Sequence, residues 1–296
     1  MNINLSKWME RIDDKTDILS LDIPGAHDCA ANFIPFEHFS KCQNTDVYGL
    51  LSLGIRVLDL RVKIKNNSLV TAHAFCARVG NDRNSKIQDI SDIIKHIKRF
   101  LEENPSETVL LQFKNDSESK MKDSFDILAN RYLQKENNLW FIENRIPSLG
   151  EVRGKIVLLR RCDIYDRNKA YNTDNSGIDL SGWANQYRLV PSPTSLETHS
   201  KKNDIFIIQD RYNYLPHSKW KKCVKPFLDE RKEFDGKYII NHFSTSGGLG
   251  GPKTNADYIN TKFLKYSLKK DNYYGILFFD FPTKEITKKI IENNFD

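Results

Sequence analysis

His27 and His73 are the residues best suited by type and position to move protons in this chain. His27 stands beside Asp28, just past an apolar run that breaks at Pro24-Gly25. A histidine titrates near neutral pH, so one carried to a strand end beside a carboxylate is a candidate acid or base. His73 lies near the end of a second run, SLVTAHAF. Further runs end in the carboxylates Asp59 and Asp280 and in the cations Arg61, Lys114 and Arg161. Two histidines suit a reaction in which one takes a proton from a nucleophile and the other gives one to a leaving group. A carboxylate beside each would fix its tautomer and support its cationic form. An arginine between them suits a phosphate, because its planar fork pairs with two phosphate oxygens. The set points to cleavage of a phosphodiester without a metal.

Each member also has a plain structural reading. Asp59 and Arg61 are two apart, share a strand face, and could form an internal salt bridge. Lys114 and Arg161 could be solvated rim charges. Asn241 and His242 could close their strand without touching substrate, which is the reading preferred for His242. The glycine-rich STSGGLGGP at 244–252 lacks the Lys-Ser/Thr ending of a nucleotide loop and reads as flexible rim.

The elements that must position these groups are eight short apolar runs. They end near His27/Asp28, Asp59/Arg61, His73, Lys114, Arg161, Asp210, Asn241/His242 and Asp280. Helical spacing separates several of them, most clearly at 86–103, where isoleucines and Phe100 recur on one face. Further helices are expected at 5–11, 46–53, 122–135, 218–234, 255–269 and 284–294. Near-continuous apolar strands alternating with helices predict a parallel sheet buried on both sides. Polar chemistry collected at the C-terminal strand ends is how a (β/α) barrel presents a site. No convincing helix separates the second and third strands, and 162–204 has no legible period. The expected fold is therefore α/β, a single distorted or partly open (β/α)8 TIM-like barrel over residues 1–296, without repeats or linkers.

Composition agrees with a globular chain: 296 residues, 39% hydrophobic and 28% charged. The net charge of +6 is spread without long basic blocks. It suits a solvated surface, or mild attraction to an anionic membrane or a phosphorylated substrate, and does not mark a nucleic-acid binder. The five cysteines form no CxxC and no zinc spacing, and their odd number is no disulfide framework. No run approaches a membrane span, and the first residues lack the apolar core of a signal peptide.

Taken together, these residues resemble the bacterial phosphatidylinositol-specific phospholipases C. The resemblance is carried by SKWM, IPGAHD, GIRVLDLR, TAHAF, NPSETVLLQFK, RGKIVLLRR, IIQDRY and GILFFDFP, collinear over nearly the whole chain. It implies a distorted barrel without a metal or other cofactor, cleaving phosphatidylinositol to diacylglycerol and inositol 1,2-cyclic phosphate. His27 would be the base, supported by Asp280, and His73 the acid, paired with Asp28. Arg61 would hold the phosphate, with Asp59 behind it. Lys114, Arg161 and Asp210 would bind ring hydroxyls, and Tyr212 would lie against the ring.

The partner would be phosphatidylinositol or its glycosylated form in a membrane surface touched peripherally by a monomer, with the aromatic stretch 33–39 suited to that contact. The family is commonly secreted, whereas the absence of a leader leaves the cytoplasm as the alternative. Ala74 departs from the glycine usual after the acid histidine, which concerns that loop's shape. Two other readings stand beside this one: a glycerophosphodiester phosphodiesterase, which would want an acidic metal cluster, and a non-catalytic phosphoinositide-binding barrel, which would not need both histidines. A cation at Arg61 argues against a calcium-dependent relative.

Overall fold

A computed structural model describes residues 3–32, 37–73, 76–77, 89–116, 121–164, 170–186, 195–200 and 203–295. Eight strands follow the eight apolar runs: β1 (Ile23–Ala26), β2 (Val57–Lys65), β3 (Ser68–His73), β4 (Val109–Asn115), β5 (Ile156–Arg161), β6 (Ile205–Gln209), β7 (Lys237–His242) and β8 (Ile276–Phe279). Seven of them form a continuous parallel wall in the order β5-β4-β2-β1-β8-β7-β6. Helices cover its outside, as parallel strands buried on both faces require.

The third strand departs from the expected barrel. β3 pairs antiparallel with β2, with Val62 opposite Thr71, and is a hairpin arm rather than a stave. The missing helix between β2 and β3 is the physical reason: the turn at Asn66 and Asn67, both at positive φ, can only reverse the chain. Short pieces extend the wall instead. Trp140–Phe141 and Ile178–Asp179 pair parallel with β5, and Leu196–His199 pairs antiparallel with β6. The last two answer part of the stretch 162–204 that had no legible period. Among the described residues no backbone ladder joins the β5 side to the β6 side, so the barrel is open there.

The helices lie close to expectation. Val47–Ser52 is capped by Asp46, whose side chain accepts from the Gly49 amide, and stops before Gly54 at φ +102°. Ile90–Glu103 presents Ile90, Ile93, Ile94, Ile97, Phe100 and Leu101 to the core. Three expectations needed correction. The helix expected at 218–234 starts at Pro216, passes through a π turn at Trp220–Val224 and ends at Asp229. The helix starting at Met121 loosens into π and 3₁₀ turns from Ala129 to Leu139. The helix expected at 255 begins at Gly251, inside the glycine-rich stretch, with Pro252 in its first turn where a missing amide costs nothing.

At the end of the barrel away from the strand C-termini, Arg56 is fully buried and pairs with buried Glu107 at 2.6 Å. It also donates to the carbonyls of Leu5, Ser6, Leu51 and Ile55, tying the first segment to β2. Removing one partner of a buried pair strands the other charge. Glu107→Ala is expected to lower unfolding stability by about 3–5 kcal/mol. Urea denaturation measures this, and a loss below about 1 kcal/mol, the range of an exposed pair, would refute the role given to the pair.

Candidate active site

The C-terminal ends of the wall strands open into a cleft of about 550 Å³. His27 follows β1 and Asp280 follows β8, and parallel pairing brings them together: Ala26 is level with Phe279, and the His27 amide donates to the Phe279 carbonyl. His27 Nδ1 then lies 2.7 Å from Asp280 Oδ1. Its other nitrogen, Nε2, lies 2.8 Å from Arg61 Nη2. The guanidinium can only donate, so Nε2 is the acceptor and the ring proton sits on Nδ1 towards Asp280. Asp28 and Phe281, the residues after this pair, both have positive φ, so both strands turn sharply just beyond their functional side chains.

The next three strands set a row of cations. Register places Arg61 beside Lys114 and Lys114 beside Arg161. Each has a carboxylate partner. Arg61 Nε donates to Asp59 Oδ2 at 3.1 Å, and Gln112 donates to the other oxygen of Asp59 at 2.6 Å. Lys114 pairs with Asp116 at 2.8 Å, and Arg61 Nη1 lies 3.9 Å from the same carboxylate. Arg161 reaches Asp210 at 3.3 Å, across the open side of the barrel. The Trp183 ring lies under the Arg161 guanidinium at 3.7 Å. Pleat alternation turns Arg160 the other way, onto Asp179 at 3.0 Å.

Electrostatics follow from burial and these neighbours. Burial acts to lower the pKa of His27, but the charge and hydrogen bond of Asp280, with the more distant Asp59, together outweigh burial and Arg61, so the net shift is upward. Burial would raise Asp59, yet Arg61 and then His27 hold it below the usual carboxylate range. Asp210 is likewise held down against burial, by the standing charges of Arg161 and Arg61. Burial, reinforced by Arg61, lowers Lys114 in spite of Asp116.

The comparisons with known proteins fit this geometry. The family described as "Phosphatidylinositol-specific phospholipase C, X domain" matches residues 33–162. The 1-phosphatidylinositol phosphodiesterase of Listeria monocytogenes is 27% identical over 309 residues, covering 99% of this chain and 86% of that protein. Its namesake from Staphylococcus aureus strain Newman is 26% identical over 261 residues, covering 85% and 78%. The solved phosphatidylinositol-specific phospholipase C from Listeria monocytogenes has a TM-score of 0.75 at 26% identity, covering 99% and 100% of the two chains.

The chain is similar over nearly its whole length to the bacterial phosphatidylinositol-specific phospholipases C. A crystal structure of the Staphylococcus aureus enzyme, at TM-score 0.81 and 24% identity over 99% and 98% of the chains, has the same distorted TIM-like barrel fold.

His27, Arg61, Lys114, Arg161, Asp210, Tyr212 and Asp280 all line one cleft. Asp59 lies fully buried behind Arg61. The backbone of His73 ends β3, but its side chain lies outside the described residues, so its expected pairing with Asp28 does too. Asp28 itself is fully buried. His242 is fully buried beneath His27, with ring centroids 5.7 Å apart, and stacks on Phe278. Burial pushes its pKa down to about 3, so it is neutral, in keeping with the structural reading preferred for it. Residues 244–252 do form rim: Ser244, Thr245, Ser246 and Gly248 border the cleft. Of the aromatic stretch 33–39, Phe33 and Phe36 lie outside the described residues, while Phe39 borders the cleft and is 60% exposed.

Asp116, Trp183 and Cys42 are among the cleft residues not assigned from sequence. Asp116 had a usable signal: it stands two residues past Lys114, on the same pleat face. Trp183 and Cys42 had none, because neither lies at the end of an apolar run. Calcium would need oxygen ligands where Arg61 presents its cation.

The upward shift of His27 is testable without any substrate. In NMR titration its imidazole should lose its proton above the ordinary 6.5. Asp280→Asn removes the strongest raising influence and leaves burial, so the midpoint should fall. An unchanged midpoint would remove Asp280 as the cause.

Proposed function

We propose that this chain is a metal-independent phospholipase C that cleaves phosphatidylinositol in a membrane surface, releasing diacylglycerol and inositol 1,2-cyclic phosphate. The observation that carries the reading is the line Asp280–His27–Arg61, with contacts of 2.7 and 2.8 Å. It leaves a basic imidazole nitrogen beside a phosphate-binding guanidinium. When a phosphate takes up the Arg61 fork, Nε2 is free to accept the proton of the inositol 2-hydroxyl. Asp280 keeps the tautomer and stabilises the imidazolium that forms. The hydroxyl oxygen attacks phosphorus, the glycerol oxygen leaves, and His73 supplies its proton, with Asp28 as the partner of that acid.

Arg61 meets charge that builds on the phosphoryl oxygens, and buried Asp59 holds the guanidinium in place. Lys114, Arg161 and Asp210 offer donors and acceptors to the ring hydroxyls, and Tyr212 a flat surface to the ring. No helix among the described residues is long and apolar enough to cross a membrane. Contact with lipid is therefore peripheral in this reading, by a monomer of one barrel domain acting outside the cell.

The test is phosphatidylinositol vesicles without added metal, with inositol phosphates resolved by phosphorus NMR. Wild type should give the 1,2-cyclic product. His27→Ala and His73→Ala should each lose about 10²–10⁴-fold in rate, the usual worth of a positioned acid or base. Equal activity of either variant would sink its assignment, and activity that vanishes with a chelator and returns with Ca²⁺ would sink the metal-independent reading.

A further inference from the structure

One buried nucleophile in the cleft has no part in this acid-base chemistry. Cys42 lines the wall beside His27 and Asp280, is 1% exposed, and its thiol donates to the Ser40 carbonyl at 3.8 Å. One ligand-capable atom each from His27, Cys42 and Asp280 lies within 4.8 Å of the other two. Thiolate, imidazole and carboxylate together are the donor set of a borderline-soft cation such as Zn²⁺, whereas Ca²⁺ and Mg²⁺ seek oxygen.

Charge and direction agree. Asp280 and Asp28 make the field at the Cys42 sulfur negative, with Arg61 opposing them. Arg61 holds His27 at Nε2, while the Nδ1 edge faces Asp280, so a dication has an approach turned from the guanidinium. A second cluster, His27, Asp59 and His242, spans a similar distance. Arg61 already serves two of its members as resident cation.

We propose that His27, Cys42 and Asp280 form an inhibitory site for a thiophilic divalent cation of the Zn²⁺ class. Binding releases the Cys42 thiol proton to solvent as the sulfur–metal bond forms. Asp280 exchanges the Nδ1 proton for the metal. The imidazole keeps one proton, which moves from Nδ1 to Nε2 so that the Nδ1 lone pair can bind. The lone pair that would accept the hydroxyl proton is then occupied, and Arg61 loses its acceptor. The inhibitory part rests on His27 being the base; the binding part does not.

The experiment joins a spectroscopic readout to a kinetic one. Chelator-treated protein is titrated with Co²⁺, whose bond to a thiolate gives a charge-transfer absorption, and Zn²⁺ is then used to displace it. Wild type should bind one equivalent with that band. Cys42→Ser and Cys42→Ala, checked by circular dichroism, should lose the band and weaken Zn²⁺ binding by more than the roughly 10–100-fold that outer-shell changes cost. Zn²⁺ should inhibit phosphatidylinositol cleavage at the same concentration at which it binds, with reversal by EDTA and no effect of Ca²⁺ or Mg²⁺. Each variant, compared with its own metal-free rate, should resist.

Absence of the band in folded wild type, or its survival in both variants, overturns the site. Survival would mean that another cysteine is the ligand. Binding by a protein that cleaves no phosphatidylinositol keeps the site and removes the proposed function. Cleavage that Zn²⁺ does not slow removes the inhibition alone.

Discussion

Three cations stand side by side on neighbouring strands of this barrel, and that alignment is the constraint to which the site's other charges answer. Arg61, Lys114 and Arg161 share one level of the β2-β4-β5 ladder. Adjacent strands lie about 4.8 Å apart, and like charges paired across them repel. Burial makes the problem worse, because water is not there to screen them. The answer is one carboxylate within reach of each: Asp59 for Arg61, Asp116 for Lys114, Asp210 for Arg161. The result is a fixed positive surface whose donors are already oriented before any anion arrives, which is what electrostatic preorganisation means in a phosphate site.

The same pairs hold the barrel where its backbone does not. Between the β5 side and the β6 side no ladder is formed among the described residues. Side chains span that opening instead. Arg161 meets Asp210, and Gln186 accepts from the Asp210 amide and donates to the Ile208 carbonyl. Trp183 packs against the Arg161 guanidinium and, on its edge, His242. Groups offered to substrate in the proposed reaction thus also bridge the two sheet edges. Changes at Arg161 or Asp210 would be felt in the wall as well as in the cleft.

His27 gains its character from standing between opposite charges. Asp280 pulls its proton to Nδ1, and Arg61 keeps Nε2 an acceptor. Neutral His242 beneath it fills the barrel interior without adding a competing charge. Gln43 fixes the turn by donating to the carbonyls of His27 and Phe279, one on each strand. The base and its carboxylate are therefore clamped by their backbones as well as by their side chains, which limits the geometric freedom of the pair. Cys42 enters this neighbourhood from the chain segment next to Gln43 and adds sulfur to an otherwise oxygen and nitrogen site.

The eight apolar runs and the polar residues closing them were legible in the sequence because strand burial leaves a run of apolar residues and a strand end leaves a change in polarity. That much determined the α/β class, the open distorted barrel and most of the cleft: His27, Arg61, Lys114, Arg161, Asp210 and Asp280. β3 was legible as a strand but not as an antiparallel arm, since its direction is set by the Asn66-Asn67 turn and not by hydrophobic pattern. The His27–Asp280 pair was suggested by family resemblance; the tertiary structure brings it together by closing β8 against β1 across 253 residues of chain. Asp116 could have been read from its place two residues past Lys114, whereas Trp183 and Cys42 were decided by tertiary structure alone. They serve the site through position in space, and a residue held off any periodic element leaves no spacing from which that position can be read.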